Sequence, residues 1–342
     1  MATKFIESVV VLATGGTIAG SATSATDNIG YTAAQVGVKQ LLAAVSGLDQ
    51  VLVGRTLVAE QVAQIDSKDM SFAVWQQLAL RVSHHLAQAD VTGVVITHGT
   101  DTLEETAYFL HAVLPAQLLA AKPVVLTCAM RPASSAAPDG PQNIRDAVVV
   151  ATTPGACGVL AVCAGTVHAA VDVQKVHTYR LDAFSSGDAG AVAYVEEGTV
   201  RLVKNWPLAA VDRAQVAIEN IAFVAPWPRV EILINYVGAS AALVDALLAP
   251  VAAAGAQGQT DTQLAPVSPL RGLVVAGTGN GTIHQDLEAA LCRAQAAGVK
   301  VVRSTRCATG RVLATESSKF EHSKGLTPAK ARIALMLELM QA

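Results

Sequence analysis

One recurring unit constrains this chain more than any other feature: a short apolar run, a polar turn, then an amphipathic stretch. Ser8-Val-Val-Val-Leu-Ala13 runs into Thr14-Gly-Gly-Thr17, Gly93–Thr97 runs into His98-Gly-Thr-Asp101, and Val124–Cys128 and Gly158–Cys163 repeat the pattern. Such runs do not alternate in polarity and are too short for core helices, so they read as strands covered on both faces. Val51–Leu57 reads as a further strand. The stretches between them predict helices at Ala33–Val45, Phe72–Ala87 (with Ser67 and Asp69 ahead of its start), Thr102 to about Leu114, and Gly140–Val150. Thr102 with Glu105 matches a capping box. Strand alternating with helix implies an α/β fold with a mostly parallel sheet.

The pattern changes after Cys163. Val167–Ser186 is polar and reads as irregular, and Ala191–Val195 with Thr199–Val203 reads as a hairpin turning at Glu196-Glu-Gly198. Asn205–Trp227 has the character of a connector. A second, smaller α/β unit begins at Arg229: strand Val230–Ile234, helix near Ala241–Leu248, strand Leu273–Ala276, helix Leu287–Ala296, strand Val299–Arg303 and an amphipathic helix over Ala329–Leu339. Ala252–Ala265, rich in Gly, Gln and Thr, reads as loop. The expected domains are therefore 1–204 and 229–342, joined by a linker over 205–228.

Composition narrows the function. With 24 basic and 27 acidic residues the net charge is −3, and no Lys/Arg stripe is present to neutralise phosphates, so nucleic acid is not an expected partner. At 52% hydrophobic the chain is too apolar for extensive disorder. It contains no 18-residue apolar run; the nearest approach, Ala241–Ala256, holds Asp245 and Pro250, so no membrane span is expected. The N-terminus enters a strand at once and Glu7 interrupts its apolar stretch, which predicts a cytoplasmic protein; a periplasmic protein with its signal peptide removed would read the same way. The five cysteines (128, 157, 163, 292, 307) give neither a disulfide framework nor zinc spacing, and the first three sit in apolar runs as small core residues. The eight histidines form no metal motif, so no metal or cofactor is expected.

In parallel sheets ligands gather at the carboxyl ends of strands. Three polar clusters fall there: Thr14–Thr17, Asp66-Ser-Lys-Asp69 and Thr97–Asp101. Gly15, Gly16 and Gly20 do not form a dinucleotide fingerprint, and Gly277-Thr-Gly-Asn-Gly281 is an isolated glycine-rich turn. Thr17 and Thr100 each sit beside glycine at a strand end. Each reads first as a turn or cap residue. As nucleophiles they would need a base or polarising partner, and Asp101 together with Lys175 could supply one.

Two segments settle which reading to follow. Ala13-Thr-Gly-Gly-Thr-Ile-Ala-Gly20 and Ile96-Thr-His-Gly-Thr-Asp-Thr-Leu-Glu-Glu-Thr-Ala-Tyr-Phe-Leu110 resemble, in order and in detail, the two signature regions of bacterial-type L-asparaginases. Asp66-Ser-Lys-Asp-Met70, Cys128-Ala-Met-Arg-Pro-Ala-Ser-Ser135 with Asp139-Gly-Pro141, and Gly277–Ile283 leading to Val301–Arg306 extend the resemblance over essentially the whole chain.

That resemblance implies a two-step hydrolysis of asparagine to aspartate and ammonia. Thr17 would be the nucleophile and Tyr31, on a closing loop, its hydroxyl partner. Thr100, Asp101 and Lys175 would form a second catalytic group. Ser67 would hold the substrate α-carboxylate, Asp101 its ammonium, and backbone near Thr100 and Ala129 its amide oxygen. The resemblance further implies a homotetramer, a dimer of intimate dimers, in which the C-terminal domain completes the neighbouring site. Lys68 replaces a glutamine common in secreted members, Thr282 an asparagine that reaches the substrate, and Glu316 (or Ser317, the ungapped match) answers to an acid from the neighbouring subunit. These departures leave open a broad-specificity glutaminase-asparaginase. A non-catalytic amino-acid sensor and an amidotransferase-associated subunit are the remaining alternatives.

Overall fold

The computed structural model describes residues 6–207, 227–249 and 268–341, and the chain divides into two compact units, Met1–Phe223 and Val224–Ala342. The expected linker over 205–228 and the loop over 252–265 lie largely or wholly outside the described residues.

The first unit is built on β1 (Ser8–Gly15), whose residues are all buried. Its Val-Val-Val-Leu run suits a strand covered on both faces. Around it run β2 (Thr56–Ile65), β3 (Val91–Thr97), β4 (Pro123–Thr127) and β5 (Gly158–Cys163), all parallel. Antiparallel β6 (Thr166–Ala169), β9 (Ala193–Glu196) and β10 (Thr199–Leu202) complete the eight-stranded sheet, in the order β10-β9-β6-β5-β4-β3-β1-β2. Between them, β7 (Gln174–Lys175) and β8 (Phe184–Ser185) pair as a separate short ribbon. Helices α1 (Val38–Ala43), α2 (Leu48–Leu52), α3 (Phe72–Leu86), α4 (Leu103–Val113), α5 (Ala116–Ala121) and α6 (Gly140–Thr152) belong to this unit.

The second unit is a parallel sheet, β11 (Arg229–Ile234), β12 (Leu270–Gly277), β13 (Lys300–Thr305) and β14 (Glu321–His322), with α7 (Ala242–Leu248), α8 (Gln285–Ala296) and α9 (Pro328–Leu339). Two α/β domains, a larger mixed sheet and a smaller parallel one, are thus the architecture the alternation implies. Among the described residues no helix is long and apolar enough to cross a membrane.

Several elements differ from the sequence expectation, each for a local reason. The expected strand at Val51–Leu57 begins only at Thr56; Leu48–Leu52 is a helix, and β2 runs on to Ile65. As the sheet's edge strand β2 is half exposed, and Glu60, Gln61 and Gln64 break its apolar pattern. The expected helix Ala33–Val45 contracts to Val38–Ala43. Ala34 adopts a left-handed φ of 58°, and the backbone N–H groups of Ala34, Gln35 and Val36 bond to Gly16 and Ala19 instead of a helical ladder. The stretch taken as irregular after Val167 holds β6. Ala164 and Gly165 turn the chain with positive φ at both positions, the signature of a tight hairpin. The capping box at Thr102 does not form; its hydroxyl donates 2.8 Å to the Ser67 carbonyl. The last helix, expected to be amphipathic, exposes only Glu338.

Cys128, Cys157 and Cys163 are buried, as their apolar context implies. Cys128 and Cys163 end up side by side, Sγ to Sγ 3.2 Å, just beyond the paired ends of β4 and β5.

Candidate active site

β1 pairs with β2 on one side and β3 on the other, so the chain reverses direction across the sheet between its second and third strands. A crevice at the carboxyl ends of β1 and β3 follows from that reversal, and it is where an open α/β sheet takes ligands. The turns leaving these two strands carry Thr17 and Thr100.

The turns interlock because they lack side chains. Gly16 adopts φ 83°, and a Cβ there would stand 2.3 Å from Gly99 Cα. A Cβ on Gly99 would in turn meet Ser67 Oγ at 2.4 Å. Three loops that are far apart in the chain therefore meet at two glycines, Gly16 packing on the Gly99 backbone and Gly99 on the Ser67 side chain, an approach that glycine alone permits. Thr14 Oγ1 donates to the Thr97 carbonyl at 3.0 Å, and the Gly16 N–H to the Ile65 carbonyl at 2.8 Å, tying the same strand ends together.

Thr17, buried at the start of a single 3-10 turn, places Oγ1 2.6 Å from the Tyr31 hydroxyl. The loop that brings Tyr31 back is held at several points. Ser21 and Thr32 exchange backbone bonds, Asp27 accepts from the N–H groups of Ile29 and Gly30, and the Tyr31 ring lies over Gly20. Bonds from Ala133 N to Gly20 O, Ala136 N to Ala25 O and Ala22 N to Ser134 Oγ fix it to the segment after β4. Burial pushes the Tyr31 phenol above its usual range; the Thr17 hydrogen bond opposes this, and the charges of Asp66 and Asp101 add to it. Tyr31 is thus a neutral hydroxyl at physiological pH.

Thr100 is buried at the end of β3, and Lys175 arrives from β7. Its Nζ donates 2.8 Å to Thr100 Oγ1 and 2.6 Å to Asp101 Oδ1. Thr100 Oγ1 also faces Asp101 Oδ1 at 3.4 Å. Ser67, buried in the third loop, accepts from the Asp101 N–H at 3.2 Å. Thr17, Tyr31, Ser67, Thr100, Asp101 and Lys175 thus form one cluster within the first unit.

The remaining candidates fall differently. Lys68, in the same loop as Ser67, turns its ammonium to Asp69 (2.5 Å) and Asp66 (3.9 Å), and these acids push its pKa up, the Asp69 hydrogen bond first. Ala129 is fully buried in the loop after β4. Thr282 and Glu316 belong to the second unit. The Thr282 hydroxyl lies 2.8 Å from that of Thr278 across its own turn, and Glu316 is exposed in another turn. Among the described residues no group of three or more His, Cys, Asp or Glu side chains is placed to hold a metal.

Sequence reasoning passed over four supporting groups. Glu104 accepts the Lys175 N–H at 2.6 Å and so helps seat the strand that carries the lysine; it sits inside the signature segment but carries no spacing cue. Asp139 accepts from the Met130 and Arg131 N–H groups, each at 2.9 Å. Asn143 donates 2.9 Å to the Cys128 carbonyl, which turns the Ala129 N–H the opposite way, since a trans peptide points its two polar groups apart.

His98 is the fourth such group. It is completely buried, its Nδ1 lies 2.7 Å from the Gly99 carbonyl and its Nε2 2.9 Å from Thr106 Oγ1, to which Trp75 Nε1 donates. Burial lowers its pKa to about 4, against the raising effect of the Gly99 carbonyl. The unfolded chain therefore binds a proton at His98 near pH 6.5 that the folded chain refuses until about pH 4, and stability is lost as pH falls through that window. The full shift is worth roughly 3 kcal/mol. In urea titrations between pH 7 and 4.5, a His98→Asn variant should lose stability less steeply than the parent chain. Parallel slopes would mean that the acid sensitivity arises elsewhere.

Comparison with known proteins places these features in a family. Residues 8–208 match the family model described as "Asparaginase, N-terminal", and residues 229–342 the "Glutaminase/Asparaginase C-terminal domain". The chain is 35% identical to "L-asparaginase 2" of Escherichia coli (98% of this chain, 90% of the relative) and 35% identical to "Glutaminase-asparaginase" of Pseudomonas fluorescens (98% and 86%). Among solved structures it is similar to a probable cytoplasmic L-asparaginase from Campylobacter jejuni, with a TM-score of 0.85 at 34% identity over 98% of this chain and 96% of that one.

Proposed function

The chain belongs to the bacterial asparaginase and glutaminase-asparaginase family, and from that premise we propose that it hydrolyses L-asparagine to L-aspartate and ammonia. One observation carries this reading: two hydroxyl systems, Thr17–Tyr31 and Thr100–Lys175–Asp101, stand on adjacent turns packed Gly16 against Gly99. A threonine hydroxyl is a weak nucleophile, and each of these has a partner able to take or orient its proton.

In the first half-reaction Thr17 Oγ1 attacks the side-chain amide carbon. Its proton passes to Tyr31, whose phenolic proton goes to the leaving nitrogen, and ammonia departs from a β-aspartyl ester. Backbone N–H groups near Thr100 and Ala129 stabilise the oxygen's developing charge. In the second, water held at Thr100 attacks the ester, and Thr17 recovers its proton as aspartate forms. The Lys175 ammonium keeps Thr100 Oγ1 and the Asp101 carboxylate in a fixed relation, while Ser67 and Asp101 hold the α-carboxylate and α-ammonium. In a tetramer built as a dimer of intimate dimers, Thr282 and Glu316 of a neighbouring subunit would close the site.

Glutamine differs from asparagine by one methylene, which a pocket discriminates by about 1–3 kcal/mol. The test is ammonia release from both amides. We expect kcat/KM to favour asparagine by at least about 10-fold; a ratio near unity would assign the broad-specificity activity instead. Binding of aspartate without any ammonia release would replace both with a sensor.

A further inference from the structure

Cys128 and Cys163 are in contact, Sγ to Sγ 3.2 Å, and both are buried. The proposed hydrolysis uses neither. Their placement is fixed from both sides. Thr127 pairs with Val162 in the register of β4 and β5, so the two cysteines are the next positions along neighbouring strands. The Thr127 hydroxyl donates 2.9 Å to the Val162 carbonyl. Beyond the thiols, the Asn143 side chain donates 2.9 Å to the Cys128 carbonyl and accepts the Ala164 N–H at 3.0 Å. Parallel strands lie about 4.8 Å apart, within the Cα separation of about 4.4–6.8 Å that a disulfide spans.

We propose that Cys128 and Cys163 are a redox modification site: a hydroperoxide closes them into a disulfide, and closure withdraws the Ala129 N–H from the amide-hydrolysing site. The cross-link follows from the thiol contact by itself, whereas its effect on turnover rests on the function proposed above. The Cys163 hydrogen bond, then burial, holds the Cys128 thiol well above its usual pKa, against the Lys175 ammonium, which lowers it. Thiolate is the reactive form and the pair is covered, so oxidation waits on local opening and answers sustained exposure to peroxide, not traces of it.

In the first step one sulfur, as thiolate, attacks a peroxide oxygen; the O–O bond breaks, and hydroxide leaves with the thiol proton as water. The other sulfur then attacks the sulfenic acid, the S–O bond breaks, and a second water carries off the second proton. Two thiols are oxidised and hydrogen peroxide is reduced to water. A disulfide is about 2.05 Å long, so closure draws the sulfurs together by about 1 Å. Cys128 shares a peptide plane with Ala129, where backbone N–H is proposed to meet the amide oxygen, and a misplacement of that size can cost about 10²-fold in rate.

The test treats the full chain with hydrogen peroxide, blocks remaining thiols by alkylation, and reads intact mass, non-reduced peptides and ammonia release. The chain should lose the mass of two hydrogens, Cys128 should be linked to Cys163, and kcat should fall by at least about 10-fold and return with dithiothreitol. Cys157→Ala should behave as the parent does. Cys128→Ala and Cys163→Ala, folded by Tm, should form no such link and keep their turnover through the same treatment. Added oxygen without the link, or pairing of either sulfur with another cysteine, would overturn the modification site. A linked chain with undiminished turnover would overturn its control of the site. A parent chain that releases no ammonia would sink the amidohydrolase reading, while the mass would still decide the cross-link.

Discussion

Thr17→Ala is expected to slow ammonia release from asparagine by at least about 10²-fold while leaving KM within a few-fold of the parent chain. The split between the two constants carries the argument. Thr17 is buried and, among the described residues, its hydroxyl bonds to Tyr31 alone, so its removal takes away a reacting atom and little of the pocket. Ser67 and Asp101, proposed to hold the substrate's carboxylate and ammonium, are joined to each other through the Asp101 N–H. Tyr31→Phe separates the two members of this pair. It keeps a ring over Gly20 and removes the phenol, so a loss of kcat of similar order should accompany an intact loop. Steady-state kinetics with trapping of the acyl-enzyme reads both. Near-parent turnover in Thr17→Ala, or an ester that still accumulates without this hydroxyl, would remove Thr17 from the chemistry.

What the sequence makes legible follows from which faces of each element are covered. β1, β3, β4 and β5 are buried on both sides and announce themselves as apolar runs; β2, at the edge, does not, and its polar residues disguise a ten-residue strand. Local turns are less legible. Ala164-Gly165 specifies a hairpin through positive φ at an alanine, which composition does not signal. The site residues are named by family resemblance, but their convergence depends on strand order. Gly16 can rest on Gly99 only because β3 crosses back to lie beside β1, and Lys175 reaches Thr100 from a two-residue strand 75 positions later. No periodicity encodes that contact. The supporting roles of His98, Asp139 and Asn143 are set by burial and hydrogen-bond direction, which become visible only when the loops are folded against one another.

Lys175 offers the sharpest separation between stability and catalysis. Its ion pair with Asp101 is partly exposed, the side chains retaining 20% and 54% of their accessibility, so solvent screening limits its structural worth to about 1 kcal/mol or less. Lys175→Met should therefore fold and melt close to the parent chain. Its turnover should nevertheless fall by at least about 10²-fold, because Thr100 loses a cationic donor and Asp101 the ammonium bonded to it. Thr100→Val, which removes the hydroxyl and keeps the shape, should cost a similar factor. If the two act as one device, the double variant should be scarcely slower than the worse single one, since groups that work together are lost together. Multiplying losses would mean instead that Lys175 and Thr100 serve separate steps. In that case the 2.8 Å contact between them would be a packing relation, and water activation would have to be sought at another group.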